Sequence, residues 1–422
     1  MSTLLPDREE RPLWVALACI FTVHLWFTSQ WYALGLFTFD DGFFDADTLN
    51  NLSALAHGWA RRSLVHPHLS SLFSIPIRAL DYAERLAYGG IDPKKFRELL
   101  SLSITPLASV TAAWALYRAS KVLTASSRLS VGVAILYATS FSAMVFGSIP
   151  EAFAISNALI ALLLCYSVQT AERGVEGRKS VWAALGFLIV SITVTNVVTY
   201  YIVRLLHLRY TGQRTWKEAI RRSSIETLAI AVTAVGSGYI AIQLLGYQAE
   251  AAGASVGNYV NSFVSLAPRD IVRNLSNFGL SIPQSFVGIG IMQHPLKYCG
   301  DLANCQAVFF SDQTPSPTRI ALGTCTLAIT TIVGWQQLRS GKNFQLTLAC
   351  LAILAFNLCL HSVFGTEMFL FTQHWISPLV LLLTPLLARV PKALVVVVLA
   401  QVLINAPVLD RIASRISSVV VQ

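Results

Sequence analysis

The sequence consists of apolar runs of about twenty residues that alternate with polar segments. A helix needs roughly 20 apolar residues to cross the hydrocarbon core of a bilayer. Runs close to this length cover residues 13–37, 99–117, 129–146, 152–168, 225–245, 319–338, 344–364, 371–387 and 393–408. Only 13% of the residues are charged, against about 25% in an average soluble domain. We therefore predict an all-α, polytopic membrane protein, a single transmembrane domain over residues 1–422 with about nine full crossings.

A further apolar run, residues 181–206, has basic residues on both sides. Basic residues concentrate in cytoplasmic loops, so a single crossing would leave one of these flanks outside. The run is interrupted near its middle by the polar sequence TVTN, residues 193–196. We predict paired half-helices that meet at this break and return to the cytoplasm, giving about 9–11 membrane helices altogether.

The formal net charge of +9 is attributed to membrane topology, because the basic residues lie in short loops between apolar runs. This pattern predicts membrane lipids as partners and no nucleic acid. Neither GxxxxGK[ST] nor a helix-opening GxGxxG occurs, so no nucleotide site is predicted. The seven cysteines form no metal-binding pattern. Cys299 and Cys305 share one polar loop, where an oxidising compartment would favour a disulfide and a reducing one free thiols.

Two long polar segments, residues 38–98 and 246–318, are predicted on the same extracytoplasmic face. In the first, apolar residues recur at helical spacing, which predicts amphipathic helices lying flat on the membrane. Four carboxylates fall within eight residues at its start: Asp40, Asp41, Asp45 and Asp47. Such a group can act as a general base, hold a metal or solvate a loop. Crowding raises carboxylate pKa values, which favours a functional arrangement over a solvated loop.

Basic groups follow the aspartates at Arg61, Arg62, His66 and His68. A guanidinium pairs with phosphate oxygens through two parallel hydrogen bonds and stabilises charge that develops on a leaving group. We therefore predict a phosphate-binding role, with contact to lipid headgroups as the alternative for the two arginines. No third ligand accompanies the two histidines, so we predict no metal site; a divalent cation stays possible without being indicated.

Polar residues near the predicted outer ends of later crossings could line the same site. Glu151 precedes the fourth crossing, where it could orient an acceptor or simply favour a helix N-terminus. Glu367, Gln373 and His374 lie between the last crossings and are candidates for binding phosphate or sugar. Asn196 is predicted to cap the half-helix break.

Several motifs, taken in their order along the chain, resemble a known superfamily. They are FDADT, VHPHLSSLFSIP, GSIPEAFAISNALIALLL, ITVTN and GTEMFLFTQHWISPLVLLL. Together they resemble the bacterial members of the GT-C superfamily of polyprenyl-phosphate-dependent glycosyltransferases, which includes the protein O-mannosyltransferases and the lipid A aminoarabinose transferase. The resemblance is strongest over residues 39–80, 147–164 and 361–383.

The resemblance implies an inverting transferase that moves a sugar from a polyprenyl-phosphate donor to a lipid-linked or cell-surface glycan. It places the protein in the bacterial inner (plasma) membrane with its active site on the extracytoplasmic side. The catalytic base would be one of the four aspartates. Asp40 and Asp41 resemble the paired acids of some members, whereas Asp45 and Asp47 match FDADT better, and Asp45 is slightly favoured. Two alternatives stay open: a polysaccharide polymerase or ligase that relies on arginine and histidine, and a lipid-linked saccharide transporter or flippase, for which no internal repeat is visible.

Overall fold

The computed structural model describes residues 10–38, 46–58, 65–87, 92–245, 264–293, 309–311, 317–341, 343–364 and 368–420. Its helices, in chain order, are α1 (Arg11–Ala33), α2 (Thr48–His57), α3 (Leu69–Ala87), α4 (Pro93–Ser101), α5 (Ile104–Thr124), α6 (Ser127–Ala138), α7 (Phe141–Phe146), α8 (Ala152–Glu172), α9 (Lys179–Ile192), α10 (Val197–Tyr210), α11 (Trp216–Leu245), α12 (Pro268–Phe286), α13 (Pro317–Ser340), α14 (Phe344–Val363), α15 (Ile376–Arg389) and α16 (Pro391–Val420). Short 3₁₀ segments lie at Leu36–Thr38, Val194–Asn196 and Met368–His374. Strands β1 (Ile291–Gln293) and β2 (Phe309–Ser311) form one antiparallel ribbon. The predicted helical class is confirmed apart from this ribbon.

Several of the helices are long and apolar enough to cross a membrane. Within the described ranges there are six: Arg11–Ala33, Pro93–Thr124, Ala152–Glu172, Trp216–Leu244, Phe344–Val363 and Pro391–Ser414. A seventh span is formed if the 3₁₀ segment Met368–His374 and α15, which are bent by 64°, count as one. The protein is therefore a multi-pass helical membrane protein, and the predicted number of about nine full crossings stays a prediction.

Polar caps explain why some apolar runs do not form straight spans. The run 129–146 is broken after Ala138, and the new helix α7 starts at Phe141. Ser140, between them, has an extended backbone, and its hydroxyl accepts a hydrogen bond from the Ala143 N–H at 3.3 Å. This is an N-cap, which starts a second helix inside an apolar run. An apolar count over the run cannot detect the cap.

The run 181–206 is folded back on itself as a helical hairpin. Trp182, near the start of α9, packs on His207, near the end of α10, with ring centroids 4.9 Å apart. A continuous helix would separate these residues by about 37 Å at 1.5 Å per residue. The chain reverses at Thr193 and the 3₁₀ segment Val194–Asn196, and α11 packs against both half-helices.

The centre of the bundle is formed by α5 packed against α8. Helix α5 carries small, fully buried residues, Ala112, Ala113, Ala115 and Ala119. Small side chains let membrane helices approach closely, so this pair forms a tight centre around which the other helices are arranged.

The predicted second polar loop contains the amphipathic helix α12. It packs against α13, α14 and the 3₁₀ segment Met368–His374. A Cβ atom added to Gly323 of α13 would lie only 3.0 Å from the backbone carbon of Gly279 of α12, so a larger residue would push the two helices apart slightly. The crossing holds α12 against the 3₁₀ segment.

Candidate functional site

Half of the twelve residues predicted for the site lie in the described ranges. These are Asp47, His66, His68, Glu151, Gln373 and His374. The other predicted residues lie outside the described residues: Asp40, Asp41, Asp45, Arg61, Arg62 and Glu367. The Cys299 and Cys305 pair also lies outside them.

Glu151 joins the start of α8 to the start of α2. It is the N-cap residue of α8, and its Oε1 accepts a hydrogen bond from the Ala152 N–H at 2.7 Å. Its Oε2 accepts from the backbone N–H of Asp47 at 3.2 Å, and the residue is only 3% exposed. A carboxylate is stabilised at a helix N-terminus by the aligned peptide dipoles. Asp47 is thereby held at the N-terminus of a central helix.

The segment containing His66 and His68 pairs with the tip of the half-helix hairpin. The Val194 N–H donates to the Val65 carbonyl at 3.0 Å, and the His68 N–H donates to the Ser191 carbonyl at 2.9 Å. His66 Nδ1 lies 2.5 Å from the Ile192 carbonyl oxygen. Broken helices expose backbone groups that must find partners within the protein at membrane depth. The first loop supplies these partners.

His68 connects the first loop to α11. Its Nδ1 lies 2.8 Å from Ser71 Oγ, and its Nε2 lies 2.9 Å from Ser237 Oγ. Burial lowers the pKa of His68 below its ordinary value, although a backbone contact to Ala234 acts in the opposite direction. A neutral imidazole with two hydroxyl partners anchors the loop.

Gln373 and His374 lie together in the 3₁₀ segment Met368–His374. Gln373 Nε2 donates to Ser142 Oγ of α7 at 2.6 Å. The His374 ring packs edge-on against the ring of Phe153, with centroids 5.1 Å apart. Phe153 follows Glu151 by two residues in α8. The hydrogen bond of Gln373 and the ring contact of His374 hold the 3₁₀ segment against α7 and the start of α8.

The tip of the half-helix hairpin is hydrogen-bonded to α8. Thr193, at the break, and Ser156 of α8 share a hydrogen bond of 2.8 Å between their hydroxyl oxygens. Asn196 occupies the N-cap position of α10, but its side chain makes no capping hydrogen bond, so the predicted capping role was wrong. The loop 65–68 and Ser156 hold the break instead.

A second carboxylate lies at the same end of the bundle, on Glu98 of α4. It accepts a hydrogen bond from the Tyr32 hydroxyl at 2.8 Å, and its other oxygen lies 3.5 Å from His57 Nε2. Burial lowers the pKa of His57, and the interaction with Glu98 offsets only part of that shift. Sequence reasoning placed Glu98 at a loop boundary and missed this group.

Sequence reasoning also missed His361, which lies inside an apolar helix. Its ring stacks on Phe371 with a centroid distance of 4.1 Å and lies 6.3 Å from the His374 ring. An ionisable residue within an apolar run is the signal that could have identified it, because such residues usually have a function.

In the part of the chain that the structure describes, no group of three His, Cys, Asp or Glu residues is arranged to hold a metal ion. The crowded aspartates Asp40, Asp41 and Asp45 lie outside that part, so the absence of a metal stays a prediction.

The fold and these contacts define a multi-pass α-helical membrane protein with many buried polar side chains. No protein-family model matches the sequence, and no curated protein matches it either.

Proposed function

We propose that the protein is a GT-C-type inverting glycosyltransferase. It would transfer a sugar from a polyprenyl-phosphate donor to a lipid-linked or cell-surface glycan, on the extracytoplasmic face of a bacterial plasma membrane. The observation that carries the proposal is the hydrogen bond from the Asp47 N–H to Glu151, at 3.2 Å. It holds Asp47, the last residue of the aspartate cluster, at the N-terminus of α8.

The chemistry assigns one role to each group. The acceptor hydroxyl oxygen attacks the anomeric carbon of the donor sugar, and an aspartate accepts the hydroxyl proton. The bond from the anomeric carbon to the phosphate oxygen breaks, and polyprenyl phosphate leaves with the electron pair, so the configuration inverts. Asp45 is the favoured base by its sequence motif, with Asp40, Asp41 and Asp47 as the other candidates.

Stabilisation of the leaving phosphate is the second requirement. Positive and hydrogen-bonding groups that are fixed before the reaction supply much of the rate enhancement in such sites. Arg61, Arg62 and His66 follow the aspartates in the same loop. The contact of His66 with Ile192 supports this role, because it fixes the loop on the hairpin tip.

Transfer by the purified protein in lipid nanodiscs tests the proposal. We would supply a panel of radiolabelled polyprenyl-phosphate sugars and membrane-lipid acceptors, and change Asp40, Asp41, Asp45 and Asp47 to Asn one at a time. Loss of the base should lower transfer by about 100-fold or more with donor binding retained. Asp410→Asn is a matched control, because this aspartate is exposed on α16.

Two outcomes would contradict the proposal. Full transfer by an Asp41→Asn, Asp45→Asn double variant would point to a polymerase or ligase that uses arginine and histidine. No transfer from any donor, together with movement of lipid-linked saccharide across proteoliposomes, would point to a transporter.

A further inference from the structure

We propose that a groove between α1 and α6 binds one acyl chain of an anionic phospholipid. A cavity of about 710 Å³ lies there, lined by side chains of α1, of α6 and of the residues Thr139 and Met144 that follow α6. We call it the α1 groove. The inference rests on the membrane-spanning fold and does not depend on the proposed transferase activity.

The α1 groove has the length of one lipid chain. Its lining residues on α1 include Arg11, Val15, Cys19 and Val23, which recur every four residues and therefore share a face of the helix. The lining ends at His24, about 20 Å from Arg11 at 1.5 Å per residue. One leaflet supplies roughly 15 Å of hydrocarbon, half of the bilayer core. A chain of one leaflet can therefore lie along the whole groove.

The side of the α1 groove that faces outward is open to the bilayer. Val15 and Val23 line the groove and are 64% and 42% exposed, although α1 is a membrane-spanning helix. Ile20 and His24 are buried and form its inner side. Hydrocarbon from the surrounding leaflet can enter this groove sideways, without passing through the bundle.

The walls of the α1 groove favour hydrocarbon over water. Apart from Arg11 and His24, which lie at its two ends along α1, the polar side chains are those of Cys19 and Thr139. The Thr139 hydroxyl already donates to the Ile135 carbonyl at 2.9 Å. A cavity needs several polar partners to hold water, and apolar cavities stay dry. In a bilayer, a lipid chain is the apolar filling that is present in excess.

The width of the α1 groove excludes a helix as its occupant. Spread over a length of about 20 Å, the volume of about 710 Å³ gives a mean cross-section of roughly 36 Å². A helix about 10 Å across has a cross-section of roughly 79 Å². A second copy of this chain or another membrane helix therefore cannot enter the groove, whereas a single hydrocarbon chain can.

The charges at one end of the α1 groove complement an anionic headgroup. Arg11 is exposed at the first residue of α1. The preceding carboxylate, Glu10, lies 3.4 Å from Arg118 and 4.0 Å from Lys121. Among the described residues at this end, three cations therefore accompany one carboxylate.

The helix end itself adds to this attraction for an anion. Backbone N–H groups at the start of a helix and the positive end of its dipole favour a phosphate. The N-cap residue of α1, Glu10, makes no side-chain cap hydrogen bond. Because the loop after α1 is predicted to be extracytoplasmic, this end is predicted to face the cytoplasmic leaflet, which is rich in anionic lipid.

Photo-crosslinking locates the lipid. The full-length protein in phosphatidylcholine nanodiscs would receive a trace of phosphatidylglycerol with a diazirine in one acyl chain. We expect crosslinks in the peptides that contain Cys19 and Ile135, with competition by unlabelled phosphatidylglycerol at a lower concentration than by added phosphatidylcholine. Leu228 and Val232 on the exposed face of α11 report ordinary lipid contact. Crosslinking as strong at α11 as at the groove, or equal competition by the two lipids, would overturn the proposal.

A variant that fills the groove tests the place of the chain. Ala16→Phe puts a phenyl ring into the α1 groove, because Ala16 lines it. The matched control is Ala18→Phe, two residues away on the same helix, which is exposed and does not line the groove. We expect Ala16→Phe to abolish the crosslinks at Ile135 and Ala18→Phe to retain them. Equal crosslinking of two variants that elute as folded protein would overturn the proposal.

A charge variant tests the headgroup. Arg11→Gln should raise the competing concentration of phosphatidylglycerol about 5-fold, which corresponds to the loss of one cation near an anionic lipid. Lys217→Gln is the control, because Lys217 is an exposed cation in the first turn of α11. It should leave that concentration unchanged, and equal effects of the two variants would overturn the headgroup assignment. Stronger competition by undecaprenyl phosphate than by phosphatidylglycerol would overturn the phospholipid and assign the groove to an isoprenoid chain.

Discussion

The guanidinium of Arg204 donates two hydrogen bonds to the carboxylate of Glu226, from Nε at 2.7 Å and from Nη2 at 3.2 Å. Arg204 is 1% exposed and lies on α10, whereas Glu226 lies on α11. The guanidinium also lies 4.7 Å above the Trp182 ring of α9. This pair therefore fastens the half-helix hairpin to the adjacent spanning helix.

Replacing Arg204 by Met should destabilise the protein by about 3 kcal/mol, because removal of one partner leaves a partly buried carboxylate without its main cation. The double variant Arg204→Met, Glu226→Met should recover most of this loss, since an apolar pair has no buried charge. The control is Arg221→Met, an exposed arginine on the same helix as Glu226. Thermal unfolding in detergent, followed by size-exclusion chromatography, measures the effect. A double variant as unstable as the single one would contradict this account.

Gly238→Ala should destabilise the protein by about 1–3 kcal/mol, because an added methyl group overpacks a tight contact. A Cβ atom at Gly238 would lie 2.7 Å from the Pro67 carbonyl oxygen, in the loop between His66 and His68. Gly236 is two residues away on the same helix, and a Cβ there has nothing within 4 Å. Gly236→Ala should therefore be neutral or slightly stabilising, since alanine favours helix. Equal melting temperatures for the two variants would show that the loop does not press on α11.

Acidification should destabilise the protein through His68. Its pKa is lowered in the folded state, mainly by burial, from an ordinary value near 6.5. As pH falls below about 6.5, the unfolded chain binds a proton that the folded chain does not, so the free energy of unfolding decreases until the lowered folded pKa is reached. Melting temperatures of wild type and His68→Gln, measured from about pH 8 to about pH 5, test this. We expect a shallower pH dependence in the variant; parallel curves would exclude His68 as the cause.

Glu176 should make a second contribution to the loss of stability at low pH. Burial acts to raise its pKa, but hydrogen bonds and charges from Arg214 and Arg222 outweigh burial and lower it. The stability that these contacts supply is present above the ordinary glutamate pKa of about 4.3, and it is lost as pH falls through the lowered folded value. Glu176→Gln should remove this loss and leave the loss of stability due to His68 unchanged. If the melting temperature of Glu176→Gln falls with acid as steeply as that of wild type, the assignment to Glu176 is wrong.

Membrane sidedness is predicted from charge and is accessible to labelling. Lys217 at the start of α11 and Arg269 at the start of α12 are both exposed. With all seven native cysteines replaced, Arg269→Cys should react with a membrane-impermeant maleimide in intact cells, whereas Lys217→Cys should react only after permeabilisation. Reaction of Lys217→Cys in intact cells would reverse the predicted orientation.

The break in the half-helix hairpin could be predicted from the local sequence. The polar residues TVTN interrupt an apolar run, and the chain does reverse at Thr193. The cap at Ser140 is equally local, but a single serine in an apolar run is too common to indicate a break. The prediction of one continuous helix over residues 129–146 was wrong for this reason.

The contacts of the candidate site could not be read from local patterns. The Asp47 backbone and Glu151 are 104 residues apart in the chain, and Thr193 meets Ser156 across 37 residues. Periodicity places each residue on a helix or in a loop, but it does not specify which helix ends meet. His361 was missed because an isolated histidine in a span gives no indication of its neighbours on α12.

The half-helix hairpin does not change the side of the bundle on which the chain continues. The segment before it and the segment after it meet where Arg214 binds Glu176 at 2.9 Å, so both emerge on one side. The pair α9 and α10 could be gained or lost as a unit without inverting any segment that follows. The bundle could therefore acquire or alter the hairpin tip beside its site while the orientation of every other helix is preserved.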